Sequence, residues 1–129
     1  MKTNGFPKRE RIAATRQVAT LFGSGSHTAV AYPLRAVYRL MPPSPTAVPV
    51  QVLLSVPKKR LRHAVDRNRV KRQLREAYRC HKPQLHAAVP PGHTLLLALV
   101  WQSDHIHPTA AVAPRVEQLL RRIAATVKP

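Results

Sequence analysis

Between Lys58 and Lys82 lie 11 of the chain's 22 lysine and arginine residues, against only Asp66 and Glu76, so this segment holds +9 of a formal charge of +17. Side chains that stay protonated at neutral pH bind anions rather than shuttle protons, and an arginine fork can take two phosphate oxygens where lysine offers a point charge. From Arg67 to Arg79 the segment also has a helical period. At about 100° per residue, Val70, Leu74, Ala77, Tyr78 and His81 share one side and are expected to face a core. Asn68, Arg72, Arg75 and Arg79 fall on the other, with Lys71 at the border and Arg67 and Arg69 near the first turn. Asn68 adds a donor and an acceptor to a surface of donors, which suits a base edge or a ribose hydroxyl. A solvated basic helix face is the plainer explanation, but Lys58, Lys59, Arg60 and Arg62 just upstream favour binding. Asp66 reads as the N-cap, and Glu76 is spaced to support Arg72 or Arg79.

A second grouping is Asp104, His105 and His107, because two histidines and a carboxylate can bind a catalytic metal. Their spacing is too loose to be diagnostic, and just before Pro108 they read as a surface loop. His27, His63, His81, His86 and His93 are too scattered to define an acid-base pair. Cys80 is the single cysteine, which excludes an intramolecular disulfide and a cysteine-rich metal site. Trp101 closes an apolar run and reads as a packing residue.

The elements that must position the basic segment are readable in outline. Ile12, Ala13, Arg16, Val18, Ala19 and Phe22 predict a short helix ending at Gly23 or Gly25, after a loose basic lead-in over residues 1–8. In the stretch from Tyr32 to Met41, Leu34, Ala36, Tyr38 and Leu40 alternate with Arg35, Val37 and Arg39, as in a strand. Val50 to Val56 is a second β-rich run. The prolines at 42, 43, 45 and 49 between them read as the connection of an antiparallel hairpin. The basic helix is expected from Asp66 to about His81, with Pro83 limiting it. Thr94 to Trp101 is apolar on both alternating faces, as in a buried central strand. Val112, Val116, Leu119, Leu120, Ile123 and Val127 then form a helical stripe, with Arg115, Arg121 and Arg122 off it, and Pro114 either in its first turn or at a kink.

At 129 residues and 44% hydrophobic content the chain fits one domain, 1–129, able to bury a core. Its pI of about 11.7 directs attention to nucleic acid or an anionic membrane. The longest apolar run falls far short of a membrane span, and no apolar stretch follows the basic N-terminus, so neither a span nor a signal peptide is expected and the cytoplasm is favoured.

Lys58-Lys59, Ala64-Val65, the run from Arg67 to Arg72, Leu74-Arg75-Glu76 and Tyr78-Arg79 together resemble the signature of the bacterial ribonuclease P protein component. The helix ending in Leu21-Phe22-Gly23, a strand carrying Tyr38, an apolar strand after the basic helix and a closing amphipathic helix extend the resemblance over nearly the whole chain. It implies an α/β (α+β) two-layer sandwich in the order α-β-β-β-α-β-α, with a mostly antiparallel sheet and a left-handed crossover through the motif helix, against the usual preference. It also implies an accessory subunit of an endoribonuclease that acts in removing the 5′ leader of precursor tRNA. On this resemblance the catalytic RNA, with Mg2+, is expected to perform the hydrolysis, and the protein to supply no catalytic residue and no metal site of its own.

Carried over by position, the resemblance makes Arg67, Asn68, Arg69, Lys71, Arg72 and Arg75 the surface that meets RNA, with Lys58 and Lys59 nearby, and the charge of the segment adds Arg60, Arg62 and Arg79 to the RNA-binding set. It makes Val18, Phe22, Ala36 and Tyr38 a cleft for the precursor leader, although Val18 stands where an aromatic residue is frequent. The Arg60 to His63 stretch departs from a shorter, glycine-bearing link. The partners implied are the ribonuclease P RNA and precursor tRNA, with no membrane and no obligate protein partner. Two other classes compete: a structural RNA-binding protein of ribosome-associated type, and a protein-only nuclease using Asp104, His105 and His107.

Overall fold

The computed structural model describes residues 11–12, 15–23, 25–45 and 48–127. The lead-in expected over 1–8 and Ala13 lie outside them, as does the Arg16 side chain. The order is α1 (Thr15–Phe22), β1 (His27–Ala31), β2 (Leu34–Leu40), β3 (Val50–Ser55), α2 (Ala64–Ala88), β4 (Leu95–Trp101) and α3 (Thr109–Val127). The fold is therefore α+β, with the expected succession of elements.

The strands form one sheet in the order β1-β2-β4-β3. β1 pairs antiparallel with β2, β2 antiparallel with β4, and β3 parallel with β4. This corrects the expected hairpin of 32–41 with 50–56. All seven residues of β4 are buried, and a strand apolar on both faces gains most between two others, so it separates β2 from β3. The parallel β3–β4 pair then needs a long crossover, which α2 supplies. The actual hairpin is β1–β2, turning at Tyr32 and Pro33 with Ala31 opposite Leu34. Entry to β4 is a turn in which His93 N donates to Pro90 O at 3.1 Å and Gly92 takes φ +82°. Pro91 before a positive-φ glycine is the type II pattern.

Helices α2 and α3 pack together on one sheet face, over a core that includes Leu34, Ala36, Tyr38, Leu97, Leu99 and Trp101. All six residues of the predicted α3 stripe are buried in it, while Arg115, Arg121 and Arg122 are exposed. Pro114 lies inside α3, in its second turn. The other sheet face carries a smaller cluster in which Leu21 and Val18 of α1, with Ile12, meet Val37, Leu96, Ala98 and Val100. The side chain of Gln17 reaches Gln51 of β3 at 2.6 Å.

Helix α2 differs from expectation at both ends. It starts at Ala64 with His63 in the cap position making no side-chain cap bond, so Asp66 is not the cap but an acid in the first turn. A carboxylate there still complements the helix dipole. The helix continues through Pro83 to Ala88. An internal proline costs roughly 3 kcal/mol, which is offset because the extra turns bury Leu85 at 0% and Val89 at 8% exposure. No helix among the described residues is long and apolar enough to cross a membrane.

Candidate nucleic-acid interface

The buried side of α2 is Val70, Gln73, Leu74, Ala77, Tyr78, Lys82 and Leu85. The helix is thus held by a stripe that aims the opposite residues outward. Asn68, Arg69, Arg72 and Arg75 are exposed and Lys71 is half-buried. Predicted to face the core, His81 is only half-buried and approaches Glu117 of α3 at 3.7 Å. Gln73 and Lys82 are buried polar residues that the apolar pattern passed over. Gln73 lies next to Val70 and Ala77 by angular position, which is the signal that could have found it. Its Nε2 donates to the carbonyl of His107 at 3.0 Å and to Thr109 Oγ1 at 3.1 Å, joining α2 to the loop before α3.

The cations assigned to RNA divide into two sets. Three are engaged within the protein: Arg60 pairs with Asp104 at 3.3 Å, Arg79 binds Glu76 side by side, and Arg67 donates to the carbonyls of Leu61 and Arg62. The Arg79 guanidinium holds the Glu76 carboxyl below its ordinary range, and the same bond raises Arg79. Among the described residues, no side-chain bond engages Lys58, Lys59, Arg62, Arg69, Lys71, Arg72 or Arg75. Cationic side chains spread over one face without internal partners can neutralise phosphates without first breaking a protein contact.

The four residues assigned to the leader cleft are not brought together. Val18 packs on the α1 face of the sheet and Phe22 stands 45% exposed at the end of α1. Ala36 and Tyr38 point into the core beneath α2 and α3, at 0% and 6% exposure. Alternation puts Arg35, Val37 and Arg39 of β2 on the α1 face instead. The Nε of Arg35 is buried there with no hydrogen-bond partner among the described residues. Tyr38 meets His27 with ring centroids 5.5 Å apart.

Asp104, His105 and His107 do not converge. Asp104 faces Arg60, His107 Nε2 lies 2.9 Å from Ser103 Oγ, and the His107 ring meets the buried Trp101 edge-on at 5.4 Å. His105 is exposed, and its backbone N–H donates to Ser103 Oγ. Among the described residues no group of three or more His, Cys, Asp or Glu is arranged to hold a metal ion. Cys80 is exposed, beside Glu76 and Arg79.

The model of the Ribonuclease P family matches residues 6–124. The chain belongs to the ribonuclease P protein family. A ribonuclease P protein component of Porphyromonas gingivalis is 40% identical over 126 residues, covering 97% of this chain and 90% of the relative. One from Chlorobaculum tepidum is 31% identical, covering 99% and 88%. The fold agrees with solved ribonuclease P proteins from Staphylococcus aureus, at TM-score 0.66, 19% identity and coverage of 88% and 94%, and from Thermotoga maritima, at 0.63, 20% and coverage of 88% and 97%. Membership makes the chain a protein component of ribonuclease P, the endoribonuclease of tRNA processing, with ribonuclease P RNA as its partner in general. No observation favours the purely structural RNA-binding class.

Proposed function

We propose that this ribonuclease P protein binds its RNA subunit through the outward face of α2 and the preceding loop, and assists recognition of the 5′ leader of precursor tRNA in the cytoplasm. The observation that carries this reading is the set of unengaged cations beside Asn68, held outward by the buried stripe on the opposite side of the same helix. Lys58, Lys59, Arg62, Arg69, Lys71, Arg72 and Arg75 supply phosphate contacts, and Asn68 supplies the contact that charge alone cannot make. Arg60, Arg67 and Arg79 support the surface through their internal bonds, and the RNA meets them secondarily.

The leader is proposed to lie on the α1 face, against Val18 and Phe22 and beside Arg35 and Arg39. Ala36 and Tyr38 contribute from beneath, through packing. With one exposed aromatic residue among the described residues, Phe22, this face holds a strand more by charge and shape than by stacking. Hydrolysis belongs to the RNA with its Mg2+, so the protein's part is to bind and orient.

The test is 5′ cleavage of precursor tRNA by the cognate RNA subunit at low Mg2+, with and without the protein. A large gain on addition is expected. Tight RNA binding with no gain would return the chain to the structural RNA-binding class.

A further inference from the structure

The outer surface of α2 is a ridge with a groove on each side. On the α3 side, Arg69 and Arg72 line a groove with Gln73, Glu76 and Thr109. On the β3 side, Lys71 and Arg75 line another, floored by Leu53 and Leu54. Asn68 is exposed on the crest between them. Arg72 and Arg75, three residues apart, are neighbours at about 5–6 Å between Cβ atoms and diverge into the two grooves, whereas Arg69 and Lys71, about 160° apart around the axis, stand on opposite flanks about 10–12 Å apart. Along the axis, three or four residues within each groove's pair span about 4.5–6 Å, enough for neighbouring phosphates on one backbone. Glu76, the acid on the α3 side, is bonded to Arg79 and so does not oppose an anion there.

A lone RNA strand can follow Arg72 and Arg75 along the crest but leaves Arg69 or Lys71, on the opposite flanks, in solvent. Paired RNA offers two backbones bordering a wide, shallow minor groove, with 2′-hydroxyls between them. We propose that α2 lies across the minor groove of a paired segment of the RNA subunit. Arg69 and Arg72 meet one backbone, Lys71 and Arg75 meet the other, and Asn68 meets ribose hydroxyls in between. This rests on the RNA-subunit reading above and adds the kind of RNA element that the helix takes.

The test places a cysteine on each groove wall, Thr109→Cys on the α3 side and Leu54→Cys on the β3 side, in a Cys80→Ser background. Each variant carries a tethered iron chelate that generates hydroxyl radicals, and the cuts are mapped in the assembled RNA. Cuts in the two opposed strands of one paired segment are expected, one strand for each tether. Cuts by both tethers along one continuous unpaired strand would overturn the proposal, as would cuts in strands not paired with each other. The unmodified chain provides a second measurement that needs no label. Single 2′-deoxy substitutions in one paired segment should weaken its binding several-fold, with the loss largely absent in Asn68→Ala. No loss at any paired ribose would overturn the minor-groove placement. Failure of the unmodified chain to bind the RNA subunit at all would instead remove the underlying RNA-subunit reading.

Discussion

Arg67 donates through Nη1 to the carbonyl oxygens of Leu61 and Arg62, each at 2.9 Å. The first arginine of the motif thus ties the loop carrying Lys58, Lys59, Arg60 and Arg62 to the start of α2. Arg67→Ala should free that loop and cost about 1 kcal/mol, below the usual range for a charge-assisted bond because the site is partly exposed. Amide exchange at Arg60 and Leu61, whose N–H groups now donate to Pro57 O, should accelerate in Arg67→Ala and stay unchanged in Arg69→Ala. Equal protection in both variants would contradict the tether.

Arg69 is exposed and its side chain makes no bond among the described residues, so its loss should register in RNA binding and not in folding. Arg69→Ala is expected to weaken RNA-subunit affinity about tenfold and to flatten the plot of log affinity against log salt by about one unit. Arg122 is a poor control, because its Nη1 donates to Val30 O at 2.8 Å and anchors α3 to the edge strand. Arg115, exposed and bonded to Gln118 on its own helix, is the suitable one. A salt slope that Arg69→Ala and Arg115→Ala change equally would remove the special role of the α2 ridge.

Glu76 holds Arg79, and its carboxyl is lowered chiefly by that hydrogen bond. A lowered folded-state value means that the pair is intact above the ordinary carboxylate range and is lost only as pH falls through the lowered value. At neutral pH the bond is therefore constant, and removing it takes a substitution. Glu76→Gln should raise RNA affinity a few-fold at low salt and steepen the salt dependence by up to about one unit. Affinity that falls in this variant, at unchanged stability, would mean that the Glu76–Arg79 pair orients an RNA contact.

Phe22 and Tyr38 should behave differently. Tyr38 is 6% exposed within the larger core, and Tyr38→Ala should cost roughly 3 kcal/mol on urea unfolding. Phe22, at 45% exposure, should cost under about 1 kcal/mol while altering the handling of leader-bearing tRNA relative to leaderless tRNA. A selective leader defect from Tyr38→Ala, with stability intact, would put the leader on the wrong face of the sheet in our reading.

Gln73 gives the carbonyl of His107 a donor from α2. Gln73→Leu removes that donor and leaves the carbonyl without it, while also removing the Oε1 atom that has no partner among the described residues. The two effects oppose each other, so a net loss of about 1 kcal/mol is expected. A stabilised variant would show that the unsatisfied Oε1 outweighs the bonds made by Nε2.

The outward face of α2 and the whole buried stripe of α3 were legible in the sequence because a helix is a local object. Residues three and four apart share a side whatever the rest of the chain does. The seven apolar residues of β4 likewise announced a central strand. The short strand β1, which exposes His27, Thr28 and Val30, carries no such pattern in its residues, and only the family resemblance implies a strand before β2.

Tertiary structure alone decided the pairings. Whether Val50 to Ser55 runs against β2 or along β4 depends on contacts far apart in sequence, and in the folded chain β4 is paired along both edges, by β2 and β3, and covered on both faces by helices. The placement of Tyr38 had the same origin. Alternation grouped it with Leu34 and Ala36, but which face receives α1 and which receives the α2–α3 pair is a property of the packed molecule. The roles of Arg67 and Asp66 were also beyond local reading. A side chain's charge is written in the sequence, whereas its partner is set by which carbonyl or carboxylate the fold brings within hydrogen-bond reach.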